Sequence, residues 1–424
     1  MLNPVNPYCQ RLDDNLIMKS VSTPDEAARL AAFNAIIHGG EVEHLTRKLL
    51  LHHPRTCPDD WLFIEDESTG QIVSSLCLIP WQWRYGTVTL KAGEMGIVGT
   101  LEEYRRRGLI RALVERFMTM LQEGDYALSQ IQGIPYYYRQ FGYEYAVPLI
   151  GGLRVGLHTI PAEPASEPHY IFRPATLDDV PDLQRLYDES AADSDISAVR
   201  DAAIWRYILA QSPGTDTEAE TWIISASGSF EAAGYYRIER YGFGAGLNIC
   251  EASRLNHAMA VAVLQHAKTR AADRQKPFIK LMLSAGHALN TVARAWAAYD
   301  EGTYAWQIHL PDVALLLRQI APVLEQRVAD SPFAGLTQTV CLNLFKEAFE
   351  MCFIEGRLTA VNAVGFREGG EFRLPPLQFA PLVLGYRTLA EMQHMYPDIG
   401  INGQNRLLFE VLFPPMQSYI HLMY

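Results

Sequence analysis

Along the first 150 residues, apolar positions switch repeatedly between the two-residue period of a strand and the 3.6-residue period of a helix. Leu16–Ser20 reads as a short strand. Thr23-Pro24-Asp25-Glu26 then supplies an N-cap, a proline at the first helical position and acids in the first turn. This predicts a helix to His38, before Gly39-Gly40. A second helix is expected over residues 43–51, stopped by Pro54. From Trp61 the period becomes strand-like: residues 61–65, a turn at Ser68-Thr69-Gly70, then 72–79, 88–91 and 94–100, an antiparallel meander. Leu109, Leu113, Phe117, Met120 and Leu121 place one apolar face on a helix over residues 108–122. Strands are expected at 126–131 and 143–155. This mixture predicts α/β layers.

The order then recurs. From about Tyr170, Thr176-Leu177-Asp178-Asp179 repeats the capping pattern before an amphipathic helix carrying Val180, Leu183, Leu186 and Tyr187. Strand patterns follow at 222–224, 232–238 and 246–251, then a helix at 258–272 and a strand at 278–283. The sequence reads as a diverged internal duplication, with chance recurrence of a capping motif as the competing explanation. The part from about Thr303 is of another kind, α+β, with a long helical pattern over 313–328. Strands at 337–345, 348–354 and 357–361 follow, then short helices at 379–384 and 389–396. The chain closes on apolar and aromatic stretches at 407–413 and 418–424. A free tail is normally small and polar, so this end is expected to be docked inside the protein. The divisions are 1–155, 156–302 and 303–424.

Composition narrows the function. Apolar residues make up 49% of the 424 and charged residues 20%, which excludes disorder as the dominant state. No apolar run approaches the ~18–20 residues of a membrane span, and residues 1–15 are too polar for a signal peptide. A cytoplasmic chain without membrane contact is expected. Forty-eight acidic against 36 basic residues give −12, a surface that repels phosphate backbones and argues against nucleic-acid partners. It suits a cationic or amine-bearing small substrate. The six cysteines form no C-x-x-C and read as reduced, mostly buried thiols. Of the twelve histidines only His52-His53 are adjacent, and adjacent residues point different ways on a helix or strand. No metal site is expected.

The strongest chemical signal is Gly99-Thr100-Leu101-Glu102-Glu103-Tyr104-Arg105-Arg106-Arg107-Gly108-Leu109-Ile110-Arg111. A strand ends, an arginine-rich turn follows, and a helix starts at once. The unpaired N–H groups and dipole of a helix start, beside arginines, make a pyrophosphate cradle. A solvated basic turn is the plainer reading of the same run.

Arg105-x-x-Gly108, between strand and helix, resembles motif A of the GCN5-related N-acetyltransferases (GNAT), which bind acetyl-CoA there. Ile110 departs from the small residue usual at the last position. That departure is shared by the enhanced intracellular survival (Eis) acetyltransferases, whose loop Arg-Arg-Arg-Gly-Leu-Leu/Ile-Arg is similar to residues 105–111. Tyr138-Arg139-Gln140-Phe141-Gly142-Tyr143 resembles that subgroup's Tyr-Gly-Arg-Phe-Gly-Tyr segment.

The resemblance implies tandem GNAT-fold domains followed by a sterol-carrier-protein-like α+β domain, with acetyl-CoA as co-substrate and a hexameric assembly. It implies that Val98, Gly99 and Thr100 pair with the pantetheine arm. Arg106, Arg107, Gly108, Leu109, Ile110 and Arg111 would hold the pyrophosphate, and Gly133 and Ile134 would flank the thioester. It assigns Tyr138 as the acid that protonates the thiolate, and the carboxylate of Tyr424 as the base; simple ring packing is the alternative for each tyrosine. A phenol near pKa 10 donating to a thiolate near 8.5 needs a more acidic tyrosine or a more basic thiolate. The second unit reads Glu-Ala-Ser-Arg-Leu-Asn over 251–256, without glycine, and is expected to be inactive. The acceptor would be an amine of an aminoglycoside, a polyamine or a lysine. A non-catalytic acyl-CoA sensor or hydrophobic-ligand carrier is the alternative from another class. Protein N-myristoyltransferases share the two-domain plan and terminal base, but their motifs fit less well.

Overall fold

The computed structural model describes residues 7–150, 152–162, 169–242, 244–422 and 424. Gly151, inside the expected strand 143–155, and Met423 of the tail lie outside the described residues, as do residues 1–6. The helix Pro24–His38 forms where the capping pattern places it. The Thr23 hydroxyl accepts from the Glu26 N–H at 3.1 Å, and the Glu26 carboxylate accepts from the Thr23 N–H at 3.1 Å.

Two large sheets share one strand order. The first runs Leu16–Ser20, Trp61–Asp66, Gln71–Tyr85, Val88–Thr100, Leu128–Ile131, Tyr304–His309 and Glu144–Ile150, with Cys9–Arg11 added outside Leu16–Ser20. The second runs Tyr170–Pro174, Ala219–Ala226, Gly234–Glu239, Leu247–Ala252, Phe278–Leu281, Leu153–Gly156 and Tyr299–Asp300. Each contains one parallel pair at the same place: Val88–Thr100 with Leu128–Ile131, and Leu247–Ala252 with Phe278–Leu281. A third, five-stranded sheet lies within residues 338–401.

The two large sheets exchange a strand. Leu153–Gly156, which follows the first unit in the chain, pairs with Phe278–Leu281 of the second sheet. Tyr304–His309, which follows the second unit, sits between Leu128–Ile131 and Glu144–Ile150 of the first. Leu153–Gly156 spans the division expected at 155, and Tyr304–His309 begins just after the one expected at 302.

Several sequence expectations need correcting. Residues 143–155 are not one strand but two, in different sheets. Residues 72–79, 88–91 and 94–100 belong to one long hairpin, Gln71–Tyr85 with Val88–Thr100. The helix expected over 313–328 is two, Val313–Gln319 and Ala321–Ala329, parted at Ile320 just before Pro322. Of the six free thiols only Cys77 and Cys341 are buried; Cys9 is exposed and the other three are half-buried.

One continuous apolar core joins the first sheet to the C-terminal part and includes Trp81, Trp306, Phe379, Leu412 and Tyr424. The second unit packs separate clusters of its own. No helix among the described residues is long and apolar enough to cross a membrane.

Candidate active site

The site starts from a fork in the first sheet. Val88–Thr100 and Leu128–Ile131 pair only as far as Glu94 with Gln130. On its other side Val88–Thr100 stays paired to the end, Ser75 with Gly99 and Ser74 with Thr100, across a register shift at Ser75/Cys77. Ile97 has φ 47° within this irregular stretch. Past Glu94 one backbone edge thus lacks a strand partner, the arrangement that accepts an extended ligand by strand addition. Gly99 is needed here, because a Cβ would stand 2.9 Å from Cγ2 of Ile37 on the helix above.

The arginine turn follows directly. Arg106 and Gly108 both take the left-handed conformation, at φ 64° and 80°, and the helix Leu109–Glu123 begins at Gly108 with no side-chain cap and no acid in its first turn. Arg105, Arg106, Arg107 and Arg111 are exposed. Arg107 reaches Asp13 at 3.8 Å, whereas Arg105, Arg106 and Arg111 form no ion pair among the described residues. An uncapped helix start beside unpaired guanidiniums fits a pyrophosphate.

A cavity of about 660 Å³ opens beside the fork. Val98, Gly133, Ile134, Tyr138 and Tyr424 all line it. Gly99, Thr100 and residues 106–111 do not; they continue away from it along the strand and turn. The loop carrying Gly133 and Ile134 is held by the exchanged strand: the Tyr304 hydroxyl donates to the Gly133 carbonyl at 3.0 Å and Gln307 to the Ile134 carbonyl at 3.4 Å.

Tyr138 sits in the short helix Tyr137–Phe141, between Tyr136 and Gly142, which both have positive φ. Its ring packs on Tyr137, Phe141 and Tyr143. A Cβ on Gly133 would stand 2.4 Å from this ring, so the glycine makes room for it. Burial pushes the Tyr138 phenol well above its ordinary value. A more acidic tyrosine is therefore not what this site provides, and proton donation would rely on an equally desolvated, strongly basic thiolate.

The last residues thread between the first two units. Asp195 and Ile196 donate N–H groups to the Gln417 carbonyl at 2.8 and 3.2 Å, and Trp306 to that of Ile420 at 3.4 Å. Arg200 donates to the Leu422 carbonyl at 2.8 Å. Tyr424 ends buried, 7% exposed, its ring edge-on to Trp81 and its hydroxyl donating to Glu94 Oε1 at 2.8 Å.

Residues 39–146 match the family model for the acetyltransferase (GNAT) domain. The chain thus carries an acetyltransferase (GNAT) domain over those residues. Its fold is similar to that of a GCN5-related N-acetyltransferase from Anabaena variabilis, with 15% identity, TM-score 0.69, and 96% of this chain and 99% of the other covered. A probable N-acyltransferase from Enterococcus faecalis is similar at 15% identity and TM-score 0.71, over 96% and 100% of the two chains. Eis1 from Mycobacterium abscessus is similar at 13% identity and TM-score 0.62, over 96% and 99%. No curated protein matches the sequence.

Two features of the structure are not evident from the sequence pattern. Glu94 lies on the central strand, 3% exposed, at the point where the fork opens. Burial raises its carboxyl to about 8, against the opposing Tyr424 hydroxyl and Trp81 indole. The indole lies near enough to act electrostatically, but Oε2 of Glu94 has no properly formed hydrogen bond among the described residues. An acid between two glycines in the apolar run Ala92-Gly93-Glu94-Met95-Gly96 was the available signal. The second is a buried ion cluster in which Glu251 accepts from Arg200 at 2.6 Å, Arg237 at 3.1 Å and the Tyr235 hydroxyl at 2.6 Å.

Glu94 yields a stability prediction. Folded, its carboxyl keeps a proton to about pH 8; unfolded, it loses it near 4.5. The folded state binds more protons between these values, so wild-type stability falls as pH rises across that window. Glu94→Gln flattens this slope, gaining on wild type at pH 8 relative to pH 5. Urea midpoints measured across the window check it, and parallel curves would assign the titration elsewhere.

At the corresponding strand end of the second unit, the helix His257–Asp273 starts differently. Asn256 caps it by accepting from the Met259 N–H at 2.8 Å, and Arg254 is paired to Asp193. The helix start is satisfied by its own chain, unlike that at Gly108.

Proposed function

We propose that the protein transfers the acetyl group of acetyl-CoA to an amine by direct attack, with the Tyr424 carboxylate as base and Tyr138 as acid. Aminoglycosides, polyamines and lysine side chains are the acceptor kinds in scope. The observation that carries this reading is that Tyr138 and the chain-terminal Tyr424 line the same cavity as the forked strand end at Val98.

The Tyr424 carboxylate takes the proton of the bound ammonium. The freed amine attacks the thioester carbon, backbone N–H groups stabilise the oxyanion, and the C–S bond breaks with Tyr138 protonating the thiolate. On this reading Val98, Gly99 and Thr100 hold the pantetheine arm, and Arg106 through Arg111 the pyrophosphate. The second unit is a degenerate copy that walls the cleft. The part from 303 is a sterol-carrier-like domain that delivers the chain end.

Thiol release from acetyl-CoA, required to depend on added amine, tests the activity. Tight CoA binding with no amine-dependent release would leave a sensor instead. Tyr138→Phe lowers kcat by roughly 10²–10⁴-fold with the KM for acetyl-CoA little changed. A wild-type kcat in that variant removes Tyr138 from the chemistry.

A further inference from the structure

The walls of the 660 Å³ cavity carry information about the acceptor that the acetyltransfer reading alone does not contain. Most of the lining is apolar: Val42 and Leu45 from the helix Gly40–His52, Met95 and Ile97 from the forked strand, Leu149, and Ile420 of the tail. Set into it are three carboxyls that form no ion pair among the described residues: Glu94 from the first unit, Asp216 and Glu239 from the second. Burial raises Glu94 and Glu239 above the ordinary range, whereas Asp216 is an exposed residue of the wall. Glu239 accepts one hydrogen bond, from Asn248 at 2.8 Å. Oε2 of Glu94 is buried and without a hydrogen-bond partner.

The cationic side chains offset these acids only in part: Arg237 and Lys280 favour the charged form of Glu239, but burial outweighs them. Arg237 is engaged with Glu251 at 3.1 Å. His421 is lowered to about 4, by burial above all, and His38 is also lowered by burial. A bound cation lets such carboxyls give up the proton that burial makes them keep, so unpaired carboxyls in apolar walls favour a cation whose remaining surface is itself apolar. A heavily hydroxylated polycation would strip water from many groups for which these walls offer few partners.

Resting on the acetyltransferase reading, we propose that the acceptor is a primary amine on an apolar body, an aryl- or alkylamine, rather than a polyhydroxylated polycation. Its ammonium end sits towards Glu94 and Tyr424, and Asp216 and Glu239 supply negative potential from the second unit.

The test compares kcat/KM for 2-phenylethylamine, n-hexylamine, spermidine and kanamycin with acetyl-CoA, alongside calorimetric binding of each to the CoA-loaded protein. The two apolar amines are expected to exceed the others at least tenfold in kcat/KM and to bind with a negative heat-capacity change. Preferred turnover of kanamycin or spermidine overturns the proposal and leaves acetyltransfer standing. Binding in the expected order without turnover leaves the ligand class standing and overturns acetyltransfer. The double variant Asp216→Asn/Glu239→Gln should raise the amine KM about tenfold without moving the KM for acetyl-CoA. An unchanged amine KM overturns the part assigned to the second unit.

Discussion

Adding one glycine after Tyr424 lowers kcat by roughly 10²–10⁴-fold, the usual contribution of a positioned general base, while the KM for acetyl-CoA holds. The extension converts the terminal carboxylate into a peptide carbonyl, which cannot accept the ammonium proton. It also forces a further residue into a buried site already closed by the Tyr424 ring against Trp81. Tyr424→Phe separates these effects: it keeps the carboxylate and loses only the hydroxyl that donates to Glu94 at 2.8 Å. That variant should retain far more activity than the extended chain. Steady-state kinetics of both decide it, and wild-type turnover in the extended chain would sink the terminal-base mechanism.

Arg200→Met is expected to cost about 3–5 kcal/mol of stability, since removing one partner leaves a buried charge under-compensated. Arg200 is 1% exposed, bonds Glu251 at 2.6 Å, and lies over Tyr187 and Trp205, each 4.5 Å away. Burial alone would raise the Glu251 carboxyl, but Arg200, His421 and Arg237 together hold it well below the usual range. The second Arg200 nitrogen holds the Leu422 carbonyl, so the variant should also loosen the chain end. Carboxypeptidase then digests the tail faster and kcat falls more than the acetyl-CoA affinity, effects that a merely weakened core would not pair. Arg200→Lys keeps the charge without the fork and rescues only in part.

The same cluster sets the response to acid. Glu251 contributes stability above its unfolded value near 4.5 and loses it as pH falls through the depressed folded value. His421, neutral when folded, acts earlier: its folded value is about 4 against 6.5 unfolded, so stability drains as pH falls through that interval.

Local signals carried much of this architecture. Capping at Thr23 fixes one helix start, and the break from strand to arginine turn to helix is visible in residues 99–111. An apolar chain end announces its own burial, here at Tyr424. What stayed hidden depends on pairing between distant segments. Nothing within Tyr304–His309 says that its partners are Leu128–Ile131 and Glu144–Ile150, because a strand's pattern specifies its faces and not its neighbours. The pairing of Arg200 with Glu251 is hidden for the same reason: each is an ordinary charged residue until the fold brings them to 2.6 Å. Glu94 was legible as an acid in an apolar strand, but its meaning comes from Tyr424, at the opposite end of the chain.

The exchanged strands also impose a timetable. A ribosome releases residues in order, and N-terminal domains ordinarily finish folding first. Here the first sheet lacks an interior strand until His309 has emerged, by which time the whole second unit is already outside. The strand that follows the first unit is meanwhile committed to its neighbour, so neither sheet can be completed as an independent module. With Tyr424 buried at the fork, the wall it supplies is added only after both exchanged strands have emerged. A chain cut short of Tyr424 therefore leaves this cavity with an open wall.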